Sequence, residues 1–376
     1  MTNTRRMQMA TAGQSGADIF ERYGSLWGSG QASAGVLGDN STTSKSSPVQ
    51  IKSDVDDWGE IYPVNDVTGG ITNSGDIYTW GGAQPQATRA AGTSSPVLIS
   101  SGSVGSGGWS AFSGGKESYI GVKDGKLYAW GKNSMGQLGQ SNTTNKSSPI
   151  QIGGLTNWVS VGSSDRAHFA INSDGELFSW GYNSYGKLGH GDTTNRSSPV
   201  QVGSLTNWET VSHSYYCPSF LKTDGTLWSM GEGSSGSNGQ NNTTTYSSPV
   251  QVGSATNWVK VGGGNQTTMA LNSDNELWVC GRNDDGQLGL NISTATNKSV
   301  LTQISGAWLD FYCSQSCVSA VKTDGTLWGW GQNGYGEIGD GSTTKYSSPV
   351  QVGSLTDWIG VAGPGGLGST HYFLKA

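Results

Sequence analysis

The sequence predicts an all-β fold: a seven-bladed β-propeller of four-stranded antiparallel blades. Three observations predict it. A phrase of the form D-G-x-L-W-x-W-G recurs seven times, at residues 23–30, 74–81, 124–131, 174–181, 224–231, 274–281 and 324–331. Its closing glycines stand 51 residues apart once and 50 apart thereafter. All fifteen tryptophans fall into three columns of that repeat. A period of this length marks stacked or circular supersecondary units and is read before anything else.

Each unit justifies four strands. In the copy beginning at Asn157, NWVSV is a short β-branched run. AHFAINS alternates apolar and polar residues. Asp174-Gly175 is a hairpin turn signal, because glycine tolerates positive φ. ELFSWGY is the third strand. The connection NSYGKLGHGDTTNRSS is rich in turn formers. Pro199 then opens SPVQVG, and proline suits an outer edge. Four short strands per unit make one propeller blade. Asp124, Asp174, Asp224, Asp274 and Asp324 each begin a turn, which gives them a structural role.

The first tryptophan column, Trp58, Trp109, Trp158, Trp208, Trp258, Trp308 and Trp358, has one member per unit. It is expected to pack blade against blade. The proline column is Pro48, Pro96, Pro149, Pro199, Pro249 and Pro349, with Ser299 in the sixth unit. The second unit lacks the N-x-x-G-Q-L-G phrase and carries a Gly/Ser insertion at 100–108, so a distorted outer edge is expected there. The first unit begins at its third strand, and the chain ends on a first and second strand. N-terminal outer strands (residues 23–51) therefore pair with C-terminal inner strands (residues 358–376) and close the ring, leaving no open edge. The propeller occupies residues 22–376. Residues 1–21 are an arm outside the repeat, open to two readings: a frayed tail, or a docking segment with Arg5, Arg6, Met7, Met9, Ile19 and Phe20 as its anchors.

Composition excludes several classes. Charged residues make up 13 % of the chain, against about 25 % usually. The net charge is −6, which argues against a nucleic-acid surface. No apolar run is long enough to span a membrane, and the N-terminus has no signal-like core. Four cysteines in 376 residues are no disulfide framework. Cys313 and Cys317 flank a short turn and are close enough in sequence to pair. Cys217 shares a column with Cys317, which favours packing.

The phrase L-W-x-W-G-x-N-x-x-G-Q-L-G, followed by a Pro-opened strand and a Trp/Val strand, resembles the regulator-of-chromosome-condensation repeat, in the form found in bacterial and bacteriophage proteins. The matches are best at 127–139, 177–189, 277–289 and 327–339, and the resemblance covers residues 22–376. It implies a seven-bladed propeller that serves as a binding scaffold.

No constellation for catalysis emerges. His168, His213 and His371 lie near first-to-second-strand connections at different repeat positions, and His190 lies in a third-to-fourth connection. None has metal-ligand spacing or a nucleophile partner. Glycine-rich phrases such as residues 331–339 precede no helix and so cradle no phosphate. No cofactor and no metal are expected.

The seven units can be compared with one another. The Asp-Gly turns and the G-S-L-T-N-W connections are nearly constant and lie on one face. The first-to-second connections vary most and share the other face with the long third-to-fourth loops. They offer Lys116 and Glu117, Asp165 and Arg166, Tyr215 and Tyr216, Asn265 and Gln266, and Gln315 as candidate interaction residues. A constant scaffold with varied loops is what a binding surface looks like.

The expectation is a non-enzymatic protein-interaction propeller, an accessory structural protein of a phage virion in a capsid, tail or fibre, with other virion proteins as partners. The alternative is a soluble cytoplasmic regulator that binds a GTPase or inhibits an enzyme. A further alternative is recognition of a host-surface glycan or receptor. Neither nucleic acid nor membrane insertion is expected.

Overall fold

The computed structural model describes residues 24–51, 54–64, 67–82, 93–99, 107–212, 214–361 and 368–376. The arm with Arg5, Arg6, Met7, Met9, Ile19 and Phe20, most of the 100–108 insertion, His213 and the last first-to-second connection lie outside them.

Seven four-stranded antiparallel sheets form the chain. The fourth blade is typical: Trp158–Ser164, Ala167–Asn172, Leu177–Gly181 and Arg196–Gln201. The first blade is made from both ends of the chain. Ser25–Gly30 pairs with Lys45–Gln50 on one side and with Thr370–Lys375 on the other, in register from Ser25↔Lys375 to Gly30↔Thr370. Trp358–Val361 completes that sheet. The ring closes as the incomplete end units require.

First strands of adjacent blades touch one another and so surround the axis. Each first-column tryptophan is buried, none more than 8 % exposed. In all seven blades its ring meets the second-column aromatic of the same blade at a steep angle, as in Trp158–Phe178 (5.1 Å, 78°) and Trp208–Trp228 (5.7 Å, 76°). Edge-to-face contact is the preferred geometry of such rings.

Two irregularities repeat around the ring. The first strand bulges just after its tryptophan, between Trp158 and Ser160 in the fourth blade. The fourth strand bulges against the third, between Gly181↔Arg196 and Ser179↔Val200. Proline, which has no N–H to donate, sits inside this second bulge. The same register identifies the sixth member of the proline column. Gly281 pairs with Lys298 and Val279 with Thr302, so Leu301, not Ser299, is the counterpart of Pro199. The sixth third-to-fourth loop is two residues longer and the next connection two shorter, which leaves the 50-residue spacing intact while shifting one column. The second blade's outer strand, Thr93–Leu98, pairs with the same bulge as the others, so its described part is undistorted.

Candidate functional site

The first-to-second connections meet at the axis on one face, where strand ends leave backbone groups that need partners. They satisfy one another. The Lys116 N–H donates to the Asp165 carbonyl (2.5 Å), the Tyr215 N–H to the Gly264 carbonyl (3.2 Å) and the Asn265 N–H to the Gln315 carbonyl (3.0 Å). The Ser164 hydroxyl donates to the Tyr215 carbonyl (2.9 Å). A hydrogen-bonded arc thus runs from the third blade to the seventh. The varied side chains hang from a fixed backbone.

Six of the nine candidate residues converge at one end of this arc. Glu117 accepts both its bonds from Lys132 Nζ at 2.9 Å, and Arg166 Nε stands 3.9 Å from the same carboxylate. Lys116 Nζ reaches the Tyr215 hydroxyl at 3.5 Å. Tyr215 and Tyr216 lie with ring centroids 4.4 Å apart, and Tyr185 meets Tyr216 edge-on at 5.6 Å. Burial, reinforced by neighbouring Tyr215 and Asp165, pushes the Tyr216 hydroxyl up to about 12. Asn265, Gln266 and Gln315 lie farther along the arc. Gln266 accepts a bond from the Ser235 hydroxyl at 2.9 Å.

Beneath this cluster is a residue that reading the loops alone missed. Lys187 is fully buried, with Nζ 3.8 Å from Asp165 Oδ2, 3.4 Å from the Tyr215 carbonyl, and over the rings of Tyr182 (5.2 Å) and Tyr216 (5.9 Å). Burial lowers its amine to about 8, although Asp165 pulls the other way. The signal was in the repeat. Lys187 occupies the column of Gln137, Gln287 and Glu337. Each of those accepts a bond from the backbone N–H two residues earlier, at 2.8 Å, 2.9 Å and 2.8 Å. An ammonium group accepts nothing, so the Lys187 side chain turns to Asp165 instead.

The histidines serve the scaffold. His168 pairs across from Trp180 and His371 across from Ser29, so both take the second position of a second strand. Their repeat positions are equivalent, contrary to the reading from spacing. A longer connection before Thr370 hides this in the sequence. Each ring is held by two serine hydroxyls: Ser118 and Ser163 for His168 (2.9 and 2.8 Å), Ser319 and Ser314 for His371 (2.6 and 3.0 Å). His190 Nε2 lies 2.9 Å from the Ser179 hydroxyl. The cysteines are free and buried, Cys313 and Cys317 included. Burial pushes the Cys217 and Cys313 thiols up to about 12. Among the described residues no cluster of His, Cys, Asp or Glu has the make-up of a metal site, and no helix is long and apolar enough to cross a membrane.

Family models for the regulator of chromosome condensation (RCC1) repeat match residues 124–171, 174–217, 224–271 and 324–367, and a second model of the same repeat matches 158–187 and 258–287. Together they cover more than half of the chain. No curated protein matches by sequence. Among solved structures, human WBSCR16 is similar with a TM-score of 0.82 and 17 % identity, over 94 % of this chain and 100 % of that one. Prp20p from Saccharomyces cerevisiae, described with its binding to Gsp1p and histones, gives 0.81 and 17 %, over 98 % and 96 %. Yeast RCC1 (Prp20), solved with Kap60 bound to it, gives 0.80 and 16 %, over 100 % and 96 %. At such identities these likenesses show the fold alone. The repeat matches carry the assignment: the chain belongs to the family of RCC1-repeat proteins.

Proposed function

We propose that the chain is a non-enzymatic protein-interaction propeller that holds its partner on the arc of first-to-second connections. One observation carries this reading. Lys116, Asp165, Tyr215, Asn265 and Gln315 occupy equivalent places on a hydrogen-bonded backbone arc, yet their side chains share no chemistry. The scaffold is repeated and the presented groups are not, as a specific surface requires. Photo-crosslinking residues placed at Tyr216 and Gln315 test it in the cells that make the protein, with Leu205 on the opposite face as control. Protein adducts from the two rim positions are expected. Adducts from Leu205 alone would overturn the reading.

For the class of partner, a regulator that binds a small GTPase is the better-supported choice. The family match and the fold shared with Prp20p, itself described as binding Gsp1p, favour it. A place in a phage particle has no such support, and neither has glycan recognition. A cytoplasmic location accompanies the regulator reading. Release of a fluorescent nucleotide from candidate small GTPases, with and without this protein, is the measurement: acceleration or inhibition is expected, and no effect on any of them would remove it.

A further inference from the structure

The geometry points to the third-to-fourth-blade end of the arc as a dock for an acidic segment of a partner protein. This rests on the protein-binding reading above and adds the chemistry. Four cations gather there: Lys116, Lys132, Arg166 and Lys187. Two carboxylates oppose them, and each is already served, Glu117 by Lys132 at 2.9 Å and Asp165 by the buried Lys187 at 3.8 Å. Four cations against two carboxylates leave two positive charges in excess, with Arg166 in a long ion pair to a Glu117 that Lys132 already holds and Lys116 reaching the neutral Tyr215 hydroxyl. Arg166 Nε is itself buried and without a hydrogen-bond partner among the described residues, and its distance of 3.9 Å from Glu117 is too long for a hydrogen bond, so the terminal nitrogens of a side chain that is 27 % exposed are what a ligand can meet. The planar guanidinium fork suits a carboxylate, which it can hold by two parallel bonds.

The surroundings define the rest of the ligand. Tyr185 is 44 % exposed and is braced edge-on by Tyr216. It offers an aromatic face beside the cations, and tyrosine with arginine is the usual make-up of a binding hot spot. The same face of the fifth to seventh blades has the opposite sign. Its long loops carry Glu232, Asp284, Asp285, Glu337 and Asp340 against Arg282 and Lys345 alone. A carboxylate-rich segment is repelled there and drawn to the third and fourth blades, so the field of the face selects position as well as sign. The overall charge of −6 disfavours a polyanion as long as nucleic acid, which would have to cross the acidic part.

A fluorescein-labelled eight-residue peptide of Glu and Asp with one central Tyr serves as probe, read by anisotropy against the full-length protein. Saturable binding that weakens with added salt is expected. Arg166→Ala and Lys116→Ala should each weaken it tenfold or more, and Lys146→Ala, on an outer strand, should leave it unchanged. Arg166→Lys keeps the charge, disturbs the fold least and should still lose affinity, because the fork is gone. No binding, equal binding by the Arg166 and Lys116 variants, or tighter binding of a single-stranded oligonucleotide would each overturn the proposal. If the peptide fails while rim crosslinks to protein persist, the acidic chemistry is wrong and the protein-binding reading stands.

Discussion

The indole N–H of Trp180 donates to the carbonyl of Gln137 at 2.9 Å, across the seam between the third and fourth blades. The same staple recurs with other donors. Trp330 bonds the Gln287 carbonyl at 3.0 Å, the Cys280 thiol the Ser237 carbonyl at 3.6 Å, and the Ser29 hydroxyl the Glu337 carbonyl at 2.7 Å. Trp80 reaches the equivalent Val36 carbonyl through the Tyr372 hydroxyl, at 3.2 Å and then 2.5 Å. Met230 fills this place in the fifth blade and has no hydrogen to donate. The carbonyl it would meet belongs to Lys187.

Trp180→Phe should therefore cost more than its lost volume. It leaves the Gln137 carbonyl unpaired inside a seam, a penalty of about 1–3 kcal/mol. Trp130→Phe removes a similar ring whose N–H has no partner within the described structure, and should cost less. Denaturant unfolding of the two variants decides it. Equal losses would show that the staple contributes nothing.

These staples mark the limit of what the sequence made legible. Period, blade number, ring closure and the buried tryptophan column are all properties of spacing, and spacing is visible. The staple is a property of position, and indole, thiol and hydroxyl donors fill it without resembling one another. His168 and His371 were missed as equivalents for the same kind of reason: a longer loop displaced the count. At the rim the sequence located the varied loops but not Lys187, the one cation in a column that otherwise holds Val36, Gln137, Ser237, Gln287 and Glu337.

The turn of the fourth blade offers a second test. Gly175 has φ +74°, and a Cβ there would collide with the Thr206 carbonyl of the next connection. In the sixth blade Asn275 takes that place at φ +61°. The connection from Ile304 to Trp308 that packs beside it is two residues shorter, and the Trp308 N–H still donates to the Asn275 carbonyl at 2.8 Å. Gly175→Ala should lose about 1–3 kcal/mol. Asn275→Gly should change stability by a few tenths, since both residues tolerate this φ. Thermal unfolding of both variants checks the contrast, and a tolerated Gly175→Ala would refute the collision.

His371 sets a pH dependence. Burial lowers its imidazole to about 3 from an ordinary 6.5, so the folded state keeps it neutral where the unfolded chain takes up a proton. Stability is full above pH 6.5 and falls as the pH drops below it, by up to about 1.4 kcal/mol per pH unit. An NMR titration should find the His371 ring unprotonated at pH 5. A midpoint near 6.5 would show that the ring is not held in this way.

Lys187 and Asp165 give the last prediction, in which stability and binding part. The buried amine ionises near 8 when folded and at 10.5 otherwise. Between those values the unfolded chain binds the extra proton, so the contribution of Lys187 to stability rises with pH across that window, opposing the buried thiols, whose raised ionisation lowers stability above about 9. Below pH 8 the cost of burying the charge is fully present. Lys187→Gln alone restores the residue of Gln137 but leaves Asp165 charged and buried, and breaking such a pair costs about 3–5 kcal/mol. Lys187→Gln with Asp165→Asn removes both charges, and Asn tolerates the positive φ of +49° at that position. The double variant should be at least as stable as the natural protein at pH 7, and between pH 8 and 10.5 the difference between the two should move in favour of the natural protein, since the thiols act equally on both. A double-mutant cycle measures the coupling. If the double variant is as unstable as Lys187→Gln, the pair contributes nothing through its charges, and the amine must be held by packing against Tyr182 and Tyr216. If it is stable and still binds the acidic peptide, the pair is a scaffold feature, and Arg166 and Lys116 hold the ligand without it.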